Sequence, residues 1–480
     1  MIGAFANHSE VAWIQAQKAM LRPAALFFAL LASPATWAEL SDPGAYGAGW
    51  VEVAVQRPGG GSFNALLFYP ATSSGQGAAY DGSGAPYPGI TFGHGWITAV
   101  TRYQSTLEHL ATWGYFVIAS ESYGGLFPDH SAFADDLRWC LTYLENQHAN
   151  PGSWLYQQVD TANFGASGHS MGGGASILAT QRDARIRALA NMAAAETNPS
   201  AIAAIAGVYV PVFLIAGDED SIAPPASHTI PMYDNALAPR RLPLLDGGWH
   251  CGFLDSSFFG CDSGPLPRAT QLALTRGLLT GFFNLYLKND QAVWRQVWGP
   301  ELYSEPLIIN TRADAGIVLD PNQASSHGFG GQAVQVEFLL TNSGPLPTSY
   351  TLLVEDNAWP TTVVPPQTSV LGPGESVVVN VTVEIVEGAG AGTDTTLLSA
   401  RSDLDGGTRA YATLTTERRL RGDLNGDGVV DGADFAAFAG CLAGPGIGIL
   451  AGCNDADLDL DEDVDVVDFA SFQLNFGTSM

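Results

Sequence analysis

The chain has 480 residues, and at about 150 residues per domain this length predicts two or three folding units. Its 48 acidic and 20 basic residues give a formal net charge of −28, which argues against a surface that binds nucleic-acid phosphates. Hydrophobic residues make up 46% of the chain and charged residues 14%, so a large core can be buried and disorder throughout is excluded.

Residues 1–38 have the order of a secretory signal. Arg22 precedes an apolar run from Ala24 to Ala32, and small residues follow up to the end of the segment. The run is broken from Ser33 onward, short of the roughly 20 apolar residues that span a membrane. We therefore expect a protein without a membrane span that is secreted or held at the cell surface.

The five cysteines fit an oxidising compartment. Cys251 with Cys261 and Cys441 with Cys453 are natural short-range pairs, although sequence alone leaves other connectivities open. Cys140 remains, and its helical surroundings indicate a buried, inert thiol rather than a nucleophile.

Strand and helix patterns alternate from Gly49 to about Trp298. Short apolar strands between amphipathic helices predict an α/β fold, a doubly wound and mostly parallel sheet, which we place at residues 39–304. Residues 305–417 change to short β-rich runs broken by Gly and Pro, which predict an all-β sandwich. This second segment resembles the immunoglobulin-like modules of secreted bacterial enzymes.

A G-x-S-x-G motif lies at residues 168–172, where a candidate strand runs into Ser170 and a helix of small residues leaves it. This is the strand-turn-helix of a nucleophile elbow. A serine hydroxyl needs a base to remove its proton, and that base needs a carboxylate partner. Both are expected later in the chain, in the order Ser, Asp, His.

The acid and the base follow two further candidate strands. His250 is the predicted base and Asp220 the predicted acid, with Asp218 and Glu219 as close rivals for Asp220. An oxyanion forming on the acyl carbon needs backbone N–H donors. Met171, after the nucleophile, and Trp96, in the loop after the third strand, are the candidates.

Residues 50–304 resemble the bacterial cutinase-like polyester hydrolases, the group of the α/β-hydrolase superfamily that includes poly(ethylene terephthalate) (PET) hydrolases. The matching stretches are V-D-T-A…G-H-S-M-G-G-G at 159–174 and D-S-I-A-P-P-A-S-H-T-I-P-M-Y at 220–233. The resemblance implies a serine esterase with Ser170, Asp220 and His250 as its triad, which settles the choice among the acids.

Two features depart from that family. The loop H-G-W-I is like that of chlorophyllase-like and platelet-activating-factor-acetylhydrolase-like enzymes, and the family's clamp tryptophan aligns with residues 193–195, three alanines. Trp96, Ile222 and Trp249 are predicted to contact the substrate, with Trp249 as a partial replacement for the clamp. The alternatives are a lipid, acetyl-ester or plant cell-wall esterase, or an adhesion protein whose hydrolase domain is inert.

Residues 418–480 hold twelve acidic and three basic residues, and eleven of the acids fall in two twelve-residue loops, 423–434 and 457–468, that start 34 residues apart. Oxygen donors at this spacing predict calcium loops. The first would use Asp423, Asn425, Asp427, the Val429 carbonyl, Asp431 and Asp434. The second would use Asp457, Asp459, Asp461, the Asp463 carbonyl, Asp465 and Asp468, with Glu462 in place of the turn glycine.

The paired loops and the helix starts that follow them resemble a type I dockerin-like module. The resemblance implies a small α-helical module with structural Ca²⁺ and a cohesin-like or cell-surface partner. We expect no cofactor for catalysis and an ester substrate, with polymeric esters among the candidates.

Overall fold

The computed structural model describes residues 37–388 and 392–479. The predicted export signal lies outside the described residues except for Trp37 and Ala38, which begin the helix Trp37–Ser41. Of the helices in the described ranges, none has both the length and the apolar character needed to cross a bilayer.

A ten-stranded sheet forms the scaffold of the first part of the chain. Its strands are β1 (Gly47–Gln56), β2 (Ser62–Ala71), β3 (Gly75–Gln76), β4 (Tyr87–Gly93), β5 (Phe116–Ser120), β6 (Val159–His169), β7 (Ile186–Met192), β8 (Val212–Gly217), β9 (Arg240–Leu245) and β10 (Ile308–Asp314). They lie in the order β10-β9-β8-β7-β6-β4-β5-β2-β1-β3. Strands β4 to β9 form one parallel block, in which every adjacent pair of strands is parallel. This confirms the predicted α/β sheet.

Helices cover both faces of this sheet. The α-helices are Gln104–Thr112, His130–Ala149, Met171–Arg182, Ala201–Ala204, Thr229–Asn235, Arg268–Leu287, Trp294–Val297 and Pro300–Ser304, with 3₁₀ turns at Val100–Tyr103, Ile205–Gly207, His250–Phe253 and Gln291–Val293. Alternate strand residues point to opposite faces. Leu66 therefore packs in the core under Arg268–Leu287, and Leu67 packs in the core under Met171–Arg182.

An all-β sandwich follows the sheet. Its strands are β11 (Ile317–Asp320), β12 (Gln323–Phe329), β13 (Ala333–Asn342), β14 (Tyr350–Glu355), β15 (Thr361–Val364), β16 (Ser376–Glu384), β17 (Gly392–Ser402) and β18 (Arg409–Arg419). They form two four-stranded sheets, β11-β13-β16-β15 and β12-β18-β17-β14, around one apolar core. Strand β10 pairs with β9, so the α/β sheet extends past the predicted boundary at residue 304.

The sandwich packs directly on the α/β part. The hydroxyls of Tyr286 and Thr408 lie 2.8 Å apart, and the Arg409 guanidinium lies 4.7 Å from the centre of the Trp294 ring. Leu397 of β17 is buried in the core of the α/β part. A cavity of about 350 Å³ at this junction is lined by Arg187 and by Pro211, which lie at the amino ends of β7 and β8.

The acidic tail folds around two ten-residue helices, Gly432–Cys441 and Val466–Asn475, with a 3₁₀ turn at Asn454–Ala456. The Phe438 and Phe472 rings stack at 5.3 Å in its core. Cys441 is bonded to Cys453 and Cys251 to Cys261, as predicted, while Cys140 is buried and unbonded.

Candidate active site

Ser170 is the single residue that connects strand β6 to the helix Met171–Arg182. Its backbone adopts φ +55°, a left-handed conformation that costs free energy for a residue with a Cβ. The turn closes only because its neighbours lack side chains. A Cβ on Gly172 would lie 2.0 Å from the Gly93 oxygen, and one on Gly168 would lie 2.3 Å from the Gly172 oxygen. This local geometry is that of a nucleophile elbow.

Asp220 contacts His250 after strands β8 and β9. Oδ2 of Asp220 lies 2.6 Å from Nδ1 of His250, and both side chains are buried. Oδ1 of Asp220 accepts the N–H groups of Ile222 and Ala223, which fixes the carboxylate. Asp218, a rival by sequence, instead accepts the N–H of Gly247.

Asp262 holds the backbone of the histidine loop. Its carboxylate accepts the N–H groups of both His250 and Cys251 at 2.9 Å. Asp262 lies next to Cys261, whose disulfide to Cys251 ties the same loop. Sequence reasoning missed this carboxylate, for which adjacency to a paired cysteine was the available signal.

Ser170 and His250 lie at the same edge of the sheet. The ring of His169, the residue before the serine, has its centre 4.5 Å from the centre of the His250 ring. Among the hydrogen bonds of the described residues, none joins the Ser170 hydroxyl to His250. In ligand-free enzymes such catalytic contacts are often long and shorten when substrate binds.

The two candidate oxyanion donors border the serine. Met171 follows it directly, and the ideal Cβ position of Gly95, the residue before Trp96, is 3.5 Å from the Ser170 Cβ. In the part of the chain that the structure describes, neither the Trp96 nor the Met171 N–H donates a hydrogen bond to protein. Two free N–H groups beside a serine hydroxyl can stabilise an oxyanion.

Of the predicted substrate contacts, Trp96 and Ile222 are exposed but Trp249 is not. Trp249 is 7% exposed; its indole N–H donates to the Leu266 carbonyl, and the Arg268 guanidinium covers its ring. Ser170 and His250 are buried to a similar degree, so the contact of Trp249 with the substrate stays a prediction. Packing against the segment before the helix Arg268–Leu287 holds this side chain in the core.

A loop after β5 provides apolar surface that the sequence analysis did not identify. The indole N–H of Trp96 donates to the Leu126 carbonyl at 3.1 Å, and Leu126 and Phe127 are 63% and 96% exposed. On the other side, the Ala195 N–H donates to the Ser170 carbonyl, so the small side chains of residues 193–195 border the serine. We call Trp96, Leu126 and Phe127 the apolar rim.

Comparison with known proteins finds a similar family for the segment that carries this site. Residues 51–251 match the PET hydrolase-like family. The matched segment includes Ser170, Asp220 and His250, whereas the sandwich and the acidic tail lie outside it. The α/β part is therefore similar to PET hydrolase-like proteins over these residues.

The chain is also 28% identical to several curated relatives. They include cutinase 1 of Thermobifida cellulosilytica (195 residues, 40% of this chain and 65% of the relative) and a cutinase of Thermobifida fusca strain YX (195 residues, 40% and 57%). Lipase 1 of Moraxella sp. strain TA144 matches over 197 residues, 40% of this chain and 53% of the lipase. The chain thus spans less than two thirds of the length of each.

The second acidic loop gathers carboxylates at one point. Ligand atoms of Asp457, Asp459, Asp461 and Asp468 lie within 4.8 Å of one another. Burial raises the pKa of Asp457, and burial together with neighbouring carboxylates raises that of Asp459. Clustered carboxylates that resist ionisation are the donor set that a hard cation such as Ca²⁺ stabilises.

The side chain of Asp463 adds a carboxylate to the second loop, for which only its backbone carbonyl was predicted as a ligand. Its side chain groups with Asp465 and Asp468, and its buried Oδ1 has no hydrogen-bond partner among the described residues. An unpartnered buried carboxylate oxygen is costly, and a cation would offset that cost. The residues of the second loop therefore fit a calcium ion.

The first loop is shaped by two of its predicted ligands. Asp423 accepts the N–H groups of Gly426 and Gly428, and Asp434 accepts those of Leu424 and Asn425. These bonds curve the loop around its own carboxylates. The donors present, carboxylates and an amide, also suit calcium.

Proposed function

We propose that this protein is a secreted serine carboxylic-ester hydrolase of the cutinase or polyesterase type. The observation that carries the proposal is the buried Asp220–His250 pair, which follows the elbow serine in the chain order of α/β-hydrolases. The match of residues 51–251 to the PET hydrolase-like family supports the same chemistry.

In the proposed mechanism Ser170 Oγ attacks the acyl carbon of the ester while His250 Nε2 takes the hydroxyl proton. Asp220 holds the tautomer of His250 with the proton on Nδ1 and stabilises the imidazolium that forms. The N–H groups of Trp96 and Met171 bind the oxyanion. His250 then gives its proton to the departing alcohol, and the acyl-enzyme is hydrolysed by a water that His250 deprotonates.

The apolar rim supports a polymeric ester, such as cutin or PET, as the substrate class. Exposed apolar side chains beside a catalytic serine favour contact with an apolar surface over a small polar ester. A second candidate is a lipid or short-chain ester, because residues 193–195 offer only methyl groups where an aromatic clamp would stand and the Moraxella relative is a lipase.

Replacement of the nucleophile tests the activity. Ser170→Ala should abolish hydrolysis of p-nitrophenyl butyrate and labelling by a fluorophosphonate probe. Ser167→Ala is the matched control, because Ser167 lies on β6 three residues before Ser170, is buried, and its hydroxyl has no hydrogen-bond partner among the described residues. Full labelling of Ser170→Ala would refute the proposal; rates on tributyrin, acetylated xylan and a polyester film would rank the substrates.

For the acidic tail we propose a dockerin-like module that binds structural Ca²⁺ through both loops and attaches the enzyme to a cohesin-like or cell-surface protein. The converging carboxylates of the second loop support the metal. Calorimetry of the full chain should show two calcium-binding events, and an Asp457→Asn, Asp461→Asn double variant should lose one of them. Unchanged binding by that variant would exclude the second loop.

A further inference from the structure

A chain of three hydrogen bonds crosses the buried side of the active site. The Gly95 N–H donates to the Tyr103 hydroxyl oxygen at 2.9 Å, and that oxygen lies 2.9 Å from Nδ1 of His169. Nε2 of His169 lies 3.1 Å from the carbonyl oxygen of His250. Tyr103 is fully buried and His169 is 2% exposed, so neither side chain is placed to touch a substrate.

The direction of every bond in this chain is determined. An N–H can only donate, so the Tyr103 oxygen accepts from Gly95 and its own proton is available to Nδ1 of His169. A carbonyl can only accept, so Nε2 of His169 carries a proton and donates a hydrogen bond to the backbone carbonyl of His250. Burial, with a contribution from His250, lowers the pKa of His169 well below its usual value, which favours this neutral tautomer.

The bonds connect three parts of the proposed machinery. Gly95 precedes Trp96, an oxyanion donor; His169 precedes Ser170, the nucleophile; and the accepting carbonyl belongs to His250, the base. We propose that Tyr103 and His169 are positioning residues that fix the positions of the oxyanion loop, the nucleophile and the base relative to one another. This inference rests on the proposed function and adds to it two residues outside the triad and the oxyanion hole.

The test is Tyr103→Phe, which keeps the ring and removes the hydroxyl. Gly95 then loses its acceptor and His169 its donor, so the oxyanion loop and the base are free to shift. A misplacement of less than 1 Å is enough to reduce kcat by about ten- to a hundredfold. With p-nitrophenyl butyrate we expect that loss in kcat, KM within twofold of wild type, and complete although slower fluorophosphonate labelling.

Tyr115→Phe is the matched control. Tyr115 is also fully buried in the same core, and its hydroxyl donates to Asn284 at 2.7 Å, away from the serine. Both variants lose one buried tyrosine hydroxyl, so their melting temperatures should fall by similar amounts. Only Tyr103→Phe should lose kcat; equal kcat in the two variants would overturn the proposal.

A double-mutant cycle with His169→Phe supplies the second measurement. Because the two residues share one bond while Tyr103 also accepts from Gly95, Tyr103→Phe combined with His169→Phe should lower kcat by less than the product of the two single losses. Multiplicative losses would show that they act independently and would also overturn the proposal. Failure of the proposed function is distinguishable, because the wild-type protein would then neither hydrolyse the ester nor label.

Discussion

Asp220 and His250 form a 2.6 Å contact in which the carboxylate side chain is fully buried and the imidazole is 5% exposed. The contact is shielded from water, so the carboxylate can hold His250 in one tautomer. Its second oxygen is already occupied by two backbone N–H groups. A substitution at Asp220 should therefore change the role of His250 more than the fold of the loop.

Asp220→Asn should lower kcat by about 10³- to 10⁴-fold, because an amide can stabilise the wrong tautomer of the histidine. The control is Asp218→Asn, which alters a backbone contact to Gly247 and no contact to His250. Steady-state rates on p-nitrophenyl butyrate make the comparison. A loss below tenfold in Asp220→Asn, or equal losses in both variants, would contradict the assignment.

Phe127→Ala should slow hydrolysis of a polyester film severalfold while leaving the rate on p-nitrophenyl butyrate unchanged. The reason is that an exposed apolar side chain on the rim contributes to contact with a surface and not to acyl transfer. Tyr209→Ala is the control, since Tyr209 is 62% exposed but precedes strand β8 at the opposite edge of the sheet. Equal rates of film hydrolysis for the two variants would show that the apolar rim does not contribute to binding of the polymer surface.

Glu462→Gly should tighten calcium binding by the second loop about fivefold. Glu462 adopts φ +70°, close to the φ +85° of Gly428 at the same position of the first loop, and a side chain there costs about 1 kcal/mol. Glu462→Gln separates charge from backbone strain, because it removes the carboxylate and keeps the Cβ. If calorimetry gives the same affinity for the Gly and Gln variants, strain does not limit this loop.

Acidification should destabilise the α/β part through His109. Burial, and then Arg276, lower the pKa of His109 to about 4, while in the unfolded chain it stays near 6.5. The unfolded state therefore binds more protons between pH 6.5 and 4, so the free energy of unfolding falls as pH falls through that window. Below pH 4 the contribution of His109 to the free energy of unfolding is fully lost.

His109→Gln is the test of this pH dependence. Gln can keep the contacts that Nε2 of His109 makes with the Leu40 carbonyl and the Thr280 hydroxyl, and it does not titrate. Melting temperatures at pH 7 and pH 4.5 should differ less in the variant than in the wild type. An identical pH dependence would assign the loss to other groups.

Local patterns predicted the sheet, the elbow and the carboxylate clusters, because each depends on residues close together in sequence. The same patterns failed where distant segments decide the outcome. Trp249 was predicted to contact the substrate, and nothing near it in sequence shows that Leu266 and Arg268 pack it into the core. Strand β10 was left outside the sheet, since its pairing with β9 joins segments some sixty residues apart and leaves no periodic signal.

The side-chain network around the serine was also beyond the reach of sequence. Tyr103 lies in a helical turn with no motif of its own, and its partners are Gly95, in the loop after β4, and His169, at the end of β6. The rim has the same origin, because nothing in the residues around Leu126 shows that their loop lies against Trp96.

The place where the sandwich packs has a consequence for how a substrate reaches the serine. Ser170, Asp220 and His250 all follow the carboxyl ends of strands, whereas Gly344 and Leu404 of the sandwich line a cavity with Arg187 and Pro211 at the amino ends. The catalytic residues and the sandwich therefore lie at opposite ends of the parallel strands. A substrate that reaches Ser170 from the carboxyl ends of the strands would therefore meet the α/β part and not the sandwich.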